Sequence, residues 1–413
     1  MNFFTYRGDE LAAEDIPLTE LAREVGTPAY IYSKKTLAHH FRVFDDAFGG
    51  LPHLICFAMK ANSNLSILKL FISMGAGVDI VSGGELFRAL TAGVDPGKVV
   101  YSGVGKTHEE IRQALAADIL MFNVESFQEL GVINEIAREM KKTARISVRV
   151  NPDVDPKTHP KISTGLKINK FGIDIKKVVS DYEEAQRLKN IEVVGVDCHI
   201  GSQVTELGPF IDALGKLKEL VVTLRERGFS IKYLDFGGGL GITYRNEEPP
   251  DPSSYGRAID EIAGDLGVTF VLEPGRVLVG NTGILLTRVL YTKEAEKNFV
   301  IVDAGMNDLA RPAVYDSYHE VVPVIRREGE AVQADVVGPI CESTDYLAKD
   351  RRLVGIERGD LLAVMSAGAY SFSMSSNYNS RPRAAEVLVD GSSYEIIRQR
   401  ERYEDLIRGE TMA

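Results

Sequence analysis

The stretch HLICFAMKANSNLSILKLFISMGAGVDIVSGGELFRALTAGVDPGKVVYS (53–102) decides how the rest of the chain is read. In it, three short apolar runs, HLICFA (53–58), VDIV (78–81) and VVYS (99–102), alternate with two segments of helical length, SILKLFISMG (66–75) and GELFRALTAG (84–93). Such alternation predicts parallel strands joined by helical crossovers. The pattern continues through ILMFN (119–123), RISVRV (145–150), VVGVDCHI (193–200), IKYLDF (231–236) and TFVLE (269–273). The intervening SFQELGVINEIAREM (126–140) has apolar residues at 127, 130, 133, 136 and 137, a helical spacing. Eight strands over about 220 residues match a (β/α)8 TIM-type barrel. A doubly wound open sheet shares the alternation, and both folds put chemistry beyond the carboxyl ends of the strands.

After residue 280 the texture changes to short strand-like runs (NFVIVDA, VVPVI, AVQADVVG, LLAVMS, AAEVLVD) separated by Gly, Pro and charged turns. This predicts a smaller, mainly antiparallel β-barrel domain. The expected division is a barrel over 29–280 and a β domain of 1–28 plus 281–413, with the tail SYEIIRQRERYEDLIRGE (393–410) as a charged amphipathic helix. The length of 413 residues fits two domains. A net charge of −11 argues against a nucleic-acid groove. No run approaches a membrane span, and the acidic N-terminus shows no signal peptide. Three scattered cysteines, Cys56, Cys198 and Cys341, form neither a disulfide framework nor a zinc site, and a reducing cytoplasm is expected.

Chemically unusual residues fall at the strand ends. Lys60 follows the first strand, where desolvation favours a nucleophilic amine; in isolation it also fits an exposed loop lysine. Ser82 with Glu85 reads as a helix cap, and Glu85 is a second candidate near Lys60. His199 ends the sixth strand. With no second His or Cys at ligand spacing a metal is discounted, and the imidazole can instead stack on an aromatic ring. Gly237-Gly238-Gly239 after the seventh strand and Glu273-Pro274-Gly275-Arg276 after the eighth stand where barrels hold a phosphate. An amine, a phosphate cradle, a flat stacking residue and a carboxylate are together what pyridoxal 5'-phosphate (PLP) requires.

The ordered blocks FAMKAN (57–62), IVSGGEL (80–86), KFGI (170–173), HIGSQ (199–203), GGGLG (237–241), EPGR (273–276), RPAVYDSYH (311–319), GPICESTD (338–345), GAY (368–370) and YNSRP (378–382) span nearly the whole chain. They resemble the alanine-racemase-like fold type of PLP-dependent decarboxylases, and within it the diaminopimelate decarboxylases. The resemblance implies a cytoplasmic homodimer with shared active sites and an amino-acid substrate, meso-2,6-diaminopimelate, converted to L-lysine. It implies Lys60 as the Schiff-base lysine, His199 as the ring-stacking residue and Glu273 as partner of the pyridine nitrogen. Ser202, Gly238, Gly239, Gly275 and Arg276 would surround the phosphate. Cys341 would be the proton donor, arriving from the neighbouring subunit, and Glu342 would bind the distal ammonium. Arg276, Arg311 and Tyr315 would hold the distal carboxylate, with Tyr370 touching cofactor and substrate. Met59 and Asn169 stand where the family usually has Val and Ser.

Taken alone, Cys341 also reads as buried packing and Arg311 as a surface salt bridge. Three rivals share the blocks: a decarboxylase of ornithine, arginine or carboxynorspermidine, a racemase, and a non-catalytic PLP-binding regulator. The loop NPDVDPKTHPKISTG (151–165) is a candidate lid.

Overall fold

The computed structural model describes residues 2–156, 170–294 and 296–412. Most of the candidate lid, residues 157–165, and Asn169 lie outside the described residues. The chain divides into two compact units: Phe41–Ile242 with Glu248–Val277, and Met1–His40 with Thr243–Glu247 and Leu278–Ala413.

The first unit is a closed parallel barrel. Its strands are β1 (His53–Ala58), β2 (Gly77–Ile80), β3 (Val99–Tyr101), β4 (Met121–Val124), β5 (Ala144–Asn151), β6 (Ile191–Asp197), β7 (Tyr233–Asp235) and β8 (Thr269–Leu272). Each pairs with the next, and β8 pairs back onto β1. That last pairing removes the open-sheet alternative, which would leave two edges. The helices begin on side-chain caps just past the strands. Ser82 accepts from Glu85 N–H, Ser126 accepts from Glu129 N–H, and Thr107 and Glu110 form a reciprocal capping box.

Strand alternation decides what fills the barrel. Cys56, Val100, Leu120, Met121, Val194 and Val271 form one apolar cluster. Buried polar residues share those strands: Asp79 on β2, Asn123 on β4, Ser147 and Arg149 on β5, Asp197 on β6 and Asp235 on β7. Register sets three of them side by side, since Asp197 pairs with Arg149 on one flank and with Asp235 on the other.

The second unit is built on sheet, its pairings mainly antiparallel. Gly283–Lys293 is its hub, pairing antiparallel with Ala29–Ser33, Asn298–Val302 and Leu361–Val364. The fully buried run Ala29–Ser33 is a central strand here, so the boundary between units falls after His40 rather than at residue 29. Phe4, Leu11, Ile16, Leu18, Leu21, Ile31, Ile284, Leu286 and Val387 share one core.

The expected C-terminal helix is a correction. Ser393–Arg398 is a strand, paired antiparallel with Ala385–Asp390, and only Tyr403–Leu406 is helical. Asp390 pairs with Ser393 across a two-residue turn in which Gly391 has φ +63°. Gly-Ser at the two turn positions between β-branched runs is a hairpin signal that outweighs the charge pattern of the tail. Among the described residues no helix is long and apolar enough to cross a membrane.

Gly391→Ala is expected to cost about 1–2 kcal/mol, because it forces a Cβ into left-handed backbone. A urea midpoint equal to the parent's would show that the hairpin does not depend on that conformation.

Candidate active site

β1 runs directly into Met59 and Lys60, and Lys60 Nζ lies 2.9 Å from Asp79 Oδ2. Asp79 is buried in β2 and also accepts Met59 N–H through its carbonyl at 3.1 Å. The amine therefore ends in an ion pair, where the sequence alone pointed to apolar surroundings. Glu85 is not the partner of Lys60 in this arrangement: it accepts Val81 N–H at 2.7 Å. Burial lifts its carboxyl to about 7, Asp79 adds to the rise, and the Val81 N–H and Lys60 oppose it.

Glu273, just beyond β8, is buried in a network that sequence reading did not assemble. Asn123 Nδ2 donates to Asp235 Oδ2 at 3.0 Å, to Ser102 Oγ at 3.1 Å and to Glu273 Oε1 at 3.3 Å. Ser102 Oγ donates to the same Glu273 oxygen at 3.3 Å, and Ser147 Oγ donates to Asn123 Oδ1. Carboxylate oxygens of Asp197, Asp235 and Glu273 all lie within 4.8 Å of one another. Arg149 answers part of this charge, with Nη1 2.5 Å from Glu125 Oε1 and Nε 4.0 Å from Asp197 Oδ2. Burial first, and the Asp235 charge next, hold both Glu273 and Asp197 well above the ordinary carboxylate range. Their signal was visible as polar residues interrupting apolar strands.

Beyond β7 the glycine run packs against the ends of β6 and β8. A Cβ on Gly238 would lie 2.2 Å from Glu273 O, and one on Gly239, at φ +107°, would lie 2.5 Å from Gly201 O. Neither position admits a side chain. Gly238 N–H donates to His199 Nδ1 at 3.3 Å, which puts the proton of a neutral ring on Nε2. Desolvation, then the Lys60 and Arg149 charges, hold His199 well below the usual imidazole range. Buried Arg276 donates to Ser202 Oγ at 2.9 Å, and Gly275 packs on Ala58 and Ala61.

These residues fit PLP on two counts. The acids Asp79, Asp197, Asp235 and Glu273 outnumber the bases Lys60 and Arg149 among them, so a protonated pyridine nitrogen brings the charge the set lacks. The bare glycine backbone with Ser202 and Arg276 offers a phosphate backbone donors and a guanidinium.

The remaining candidates belong to the sheet unit. Cys341 is exposed, unlike Cys56 and Cys198, so it does not pack in the core of its own chain. Its N–H donates to Asn379 Oδ1 at 2.7 Å, and Tyr378 OH donates to Glu342 Oε2 at 3.3 Å. Arg311 is buried, which excludes the surface salt bridge. Its Nη1 lies 2.7 Å from His319 Nε2, and its guanidinium lies 4.4 Å from the centre of the Tyr244 ring. Tyr315 ends the short helix Arg311–Tyr315, and half-buried Tyr370 has φ +56°.

Residues 34–280 match the family described as pyridoxal-dependent decarboxylase, pyridoxal binding domain. The diaminopimelate decarboxylase of Pseudomonas aeruginosa is 53% identical over 413 residues, covering 100% of this chain and 99% of that protein. That of Vibrio cholerae is 52% identical over 409 residues, 98% of each. Among solved structures, diaminopimelate decarboxylase from Helicobacter pylori complexed with L-lysine superposes with a TM-score of 0.92 at 45% identity, covering 95% of this chain and 98% of that one.

The raised Glu85 carboxyl has a consequence for stability. A carboxyl protonated in the folded state stabilises below its unfolded value of 4.5, and that contribution is lost as pH rises through about 7. Glu85→Gln keeps an acceptor for Val81 N–H and does not titrate. In cofactor-free protein the urea midpoint of the parent is expected to fall more steeply than that of E85Q between about pH 5 and pH 8. Parallel slopes would show Glu85 already ionised.

Proposed function

The chain belongs to the diaminopimelate decarboxylases, PLP-dependent carboxy-lyases, and we propose that it converts meso-2,6-diaminopimelate to L-lysine and CO2, the last step of the bacterial type of lysine biosynthesis. The observation that carries this reading is the buried excess of carboxylate around Glu273, facing one lysine and a glycine cradle.

In this reading Lys60 holds the cofactor through Nζ, and Asp79 keeps that amine aimed. Glu273 pairs with the pyridine nitrogen, and neutral His199 covers the ring. Gly238, Gly239, Gly275, Ser202 and Arg276 receive the phosphate. When bound, PLP supplies an electron sink for the pair left as the bond from Cα to the departing carboxylate breaks.

The chain's own residues do the rest. Cys341 delivers the proton from Sγ to Cα. Glu342 accepts from the distal ammonium of the substrate, and Arg276, Arg311 and Tyr315 hold its distal carboxylate. Tyr370 touches cofactor and substrate together. Burial of Arg311 supports its part: a guanidinium kept from water discriminates against substrates that bring no carboxylate to it. The protein works in the cytoplasm as a homodimer in which Cys341 of one subunit completes the site of the other.

Purified protein with PLP is expected to form lysine and CO2 from meso-diaminopimelate and to leave ornithine, lysine and arginine untouched. Turnover of ornithine or arginine would overturn the roles given to Arg311 and Glu342. Lys60→Ala is expected to lose turnover, Cys341→Ala to lose roughly 10²–10⁴-fold in kcat, and Arg311→Leu to lose about 10–100-fold in kcat/KM. Mixing the inactive K60A and C341A proteins is expected to restore activity, since hybrid dimers contain one intact site; mixtures that stay inactive would sink the shared-site dimer.

A further inference from the structure

The turn that carries Cys341 is held by side chains from elsewhere in the same unit. Ile340 and Cys341 present consecutive backbone N–H groups, and side-chain oxygens accept from both. Ile340 N–H donates to Asp345 Oδ2 at 2.6 Å, and Cys341 N–H donates to Asn379 Oδ1 at 2.7 Å. The other Asp345 oxygen accepts Met306 N–H at 2.6 Å. One buried carboxylate thus ties the Cys341 turn to the segment leading into the helix that carries Arg311. That segment is itself closed: Gly305 N–H donates to Asp308 Oδ2 and Leu309 N–H to Gly305 O, both at 3.0 Å.

Inside the turn, Glu342 N–H donates to Ile340 O at 2.8 Å and Asp345 N–H donates to Glu342 O at 3.1 Å. Asn379 holds φ +54°, a conformation that Asn, Asp and Gly reach at least cost. The peptide entering Cys341 is therefore held by Asn379, and the peptide before it by Asp345.

We propose that Asn379 and Asp345 are positioning residues for Cys341: they fix the two successive peptides that lead into it and so aim its thiol, and Asp345 sets the first of them in one frame with the Arg311 segment. This rests on the reading of Cys341 as proton donor. Proton delivery depends on the placement of the donor to within a fraction of an ångström, and a displacement of about 1 Å costs on the order of 10²-fold.

The test compares full-length holoenzyme carrying Asn379→Gly, Asn379→Asp, Asp345→Asn or Cys341→Ala. N379G keeps the left-handed backbone and removes the acceptor; N379D keeps both. D345N turns an NH2 toward one of the two N–H donors. N379G and D345N are expected to lower kcat on the order of 10²-fold while KM stays within about threefold, with N379D recovering most of the loss. A second readout uses cofactor-free protein, where Cys341 is the exposed cysteine of the three. Its alkylation rate should shift in N379G and return toward the parent's in N379D.

Parental kcat and alkylation in N379G, with C341A inactive, would overturn the proposal and leave the proton-donor reading standing. A C341A enzyme with parental kcat would instead overturn that reading, and the proposal with it. Equal losses in N379G and N379D would assign Asn379 to folding alone. If D345N does not fold, the Asn379 pair decides.

Discussion

Burying several carboxylates inside one barrel is the constraint from which most of this molecule follows. Asp197, Asp235 and Glu273 reach within 4.8 Å of one another in a water-poor interior. Two full charges at that distance repel by about 3 kcal/mol at an effective dielectric of ~20. The protein meets this in three ways. It raises the proton affinity of Glu273 and Asp197, brings Arg149 onto Glu125 and toward Asp197, and threads Asn123 between Asp235 and Glu273. The balance remains on the acidic side, which makes the interior a receptor for a cationic heterocycle. The same charge set that would destabilise a plain barrel is, in the proposed reading, what a bound cofactor's ring nitrogen would offset.

Lys60 belongs to the same balance. Its pair with Asp79 offsets one more buried charge and fixes the direction of an otherwise flexible side chain. His199 is governed from the opposite sign: desolvation and two nearby cations keep it neutral, and the Gly238 N–H selects its tautomer. A neutral ring can lie on an aromatic cofactor without adding charge to a site already organised around one cation.

The sheet unit solves a different problem by hydrogen bonding. Cys341 is exposed and its turn has little apolar packing of its own. Order there comes from Asp345, Asn379 and Tyr378, which hydrogen-bond to Ile340, Cys341 and Glu342 in turn. Arg311 is stationed by burial against His319 and Tyr244. Burial, a hydrogen bond and ring stacking thus fix the cation, whereas hydrogen bonds to backbone fix the turn that carries the thiol.

The strand–helix alternation from residue 53 to 273 determined a parallel α/β unit by itself, because period-2 and period-3.6 apolar patterns are local properties of a chain. Closure into a barrel rather than an open sheet was decided by the pairing of β8 onto β1. The chemistry at the strand ends was legible for the same reason: Lys60, His199, the glycine run and Glu273 each directly follow an apolar strand. The hairpin at Gly391-Ser392 was legible too, yet the charged tail masked it. Only the tertiary structure decided that Asp79 rather than Glu85 meets Lys60, that Asn123 joins Asp235 to Glu273, and that Asp345 and Asn379 share the Cys341 turn. Those partners stand up to 150 residues apart. Ring closure of the barrel and the register of its strands bring the Asp79, Asn123, Asp235 and Glu273 partners together, and the folding of the sheet unit brings Asn379 onto the Cys341 turn. None of these leaves a periodic trace in sequence.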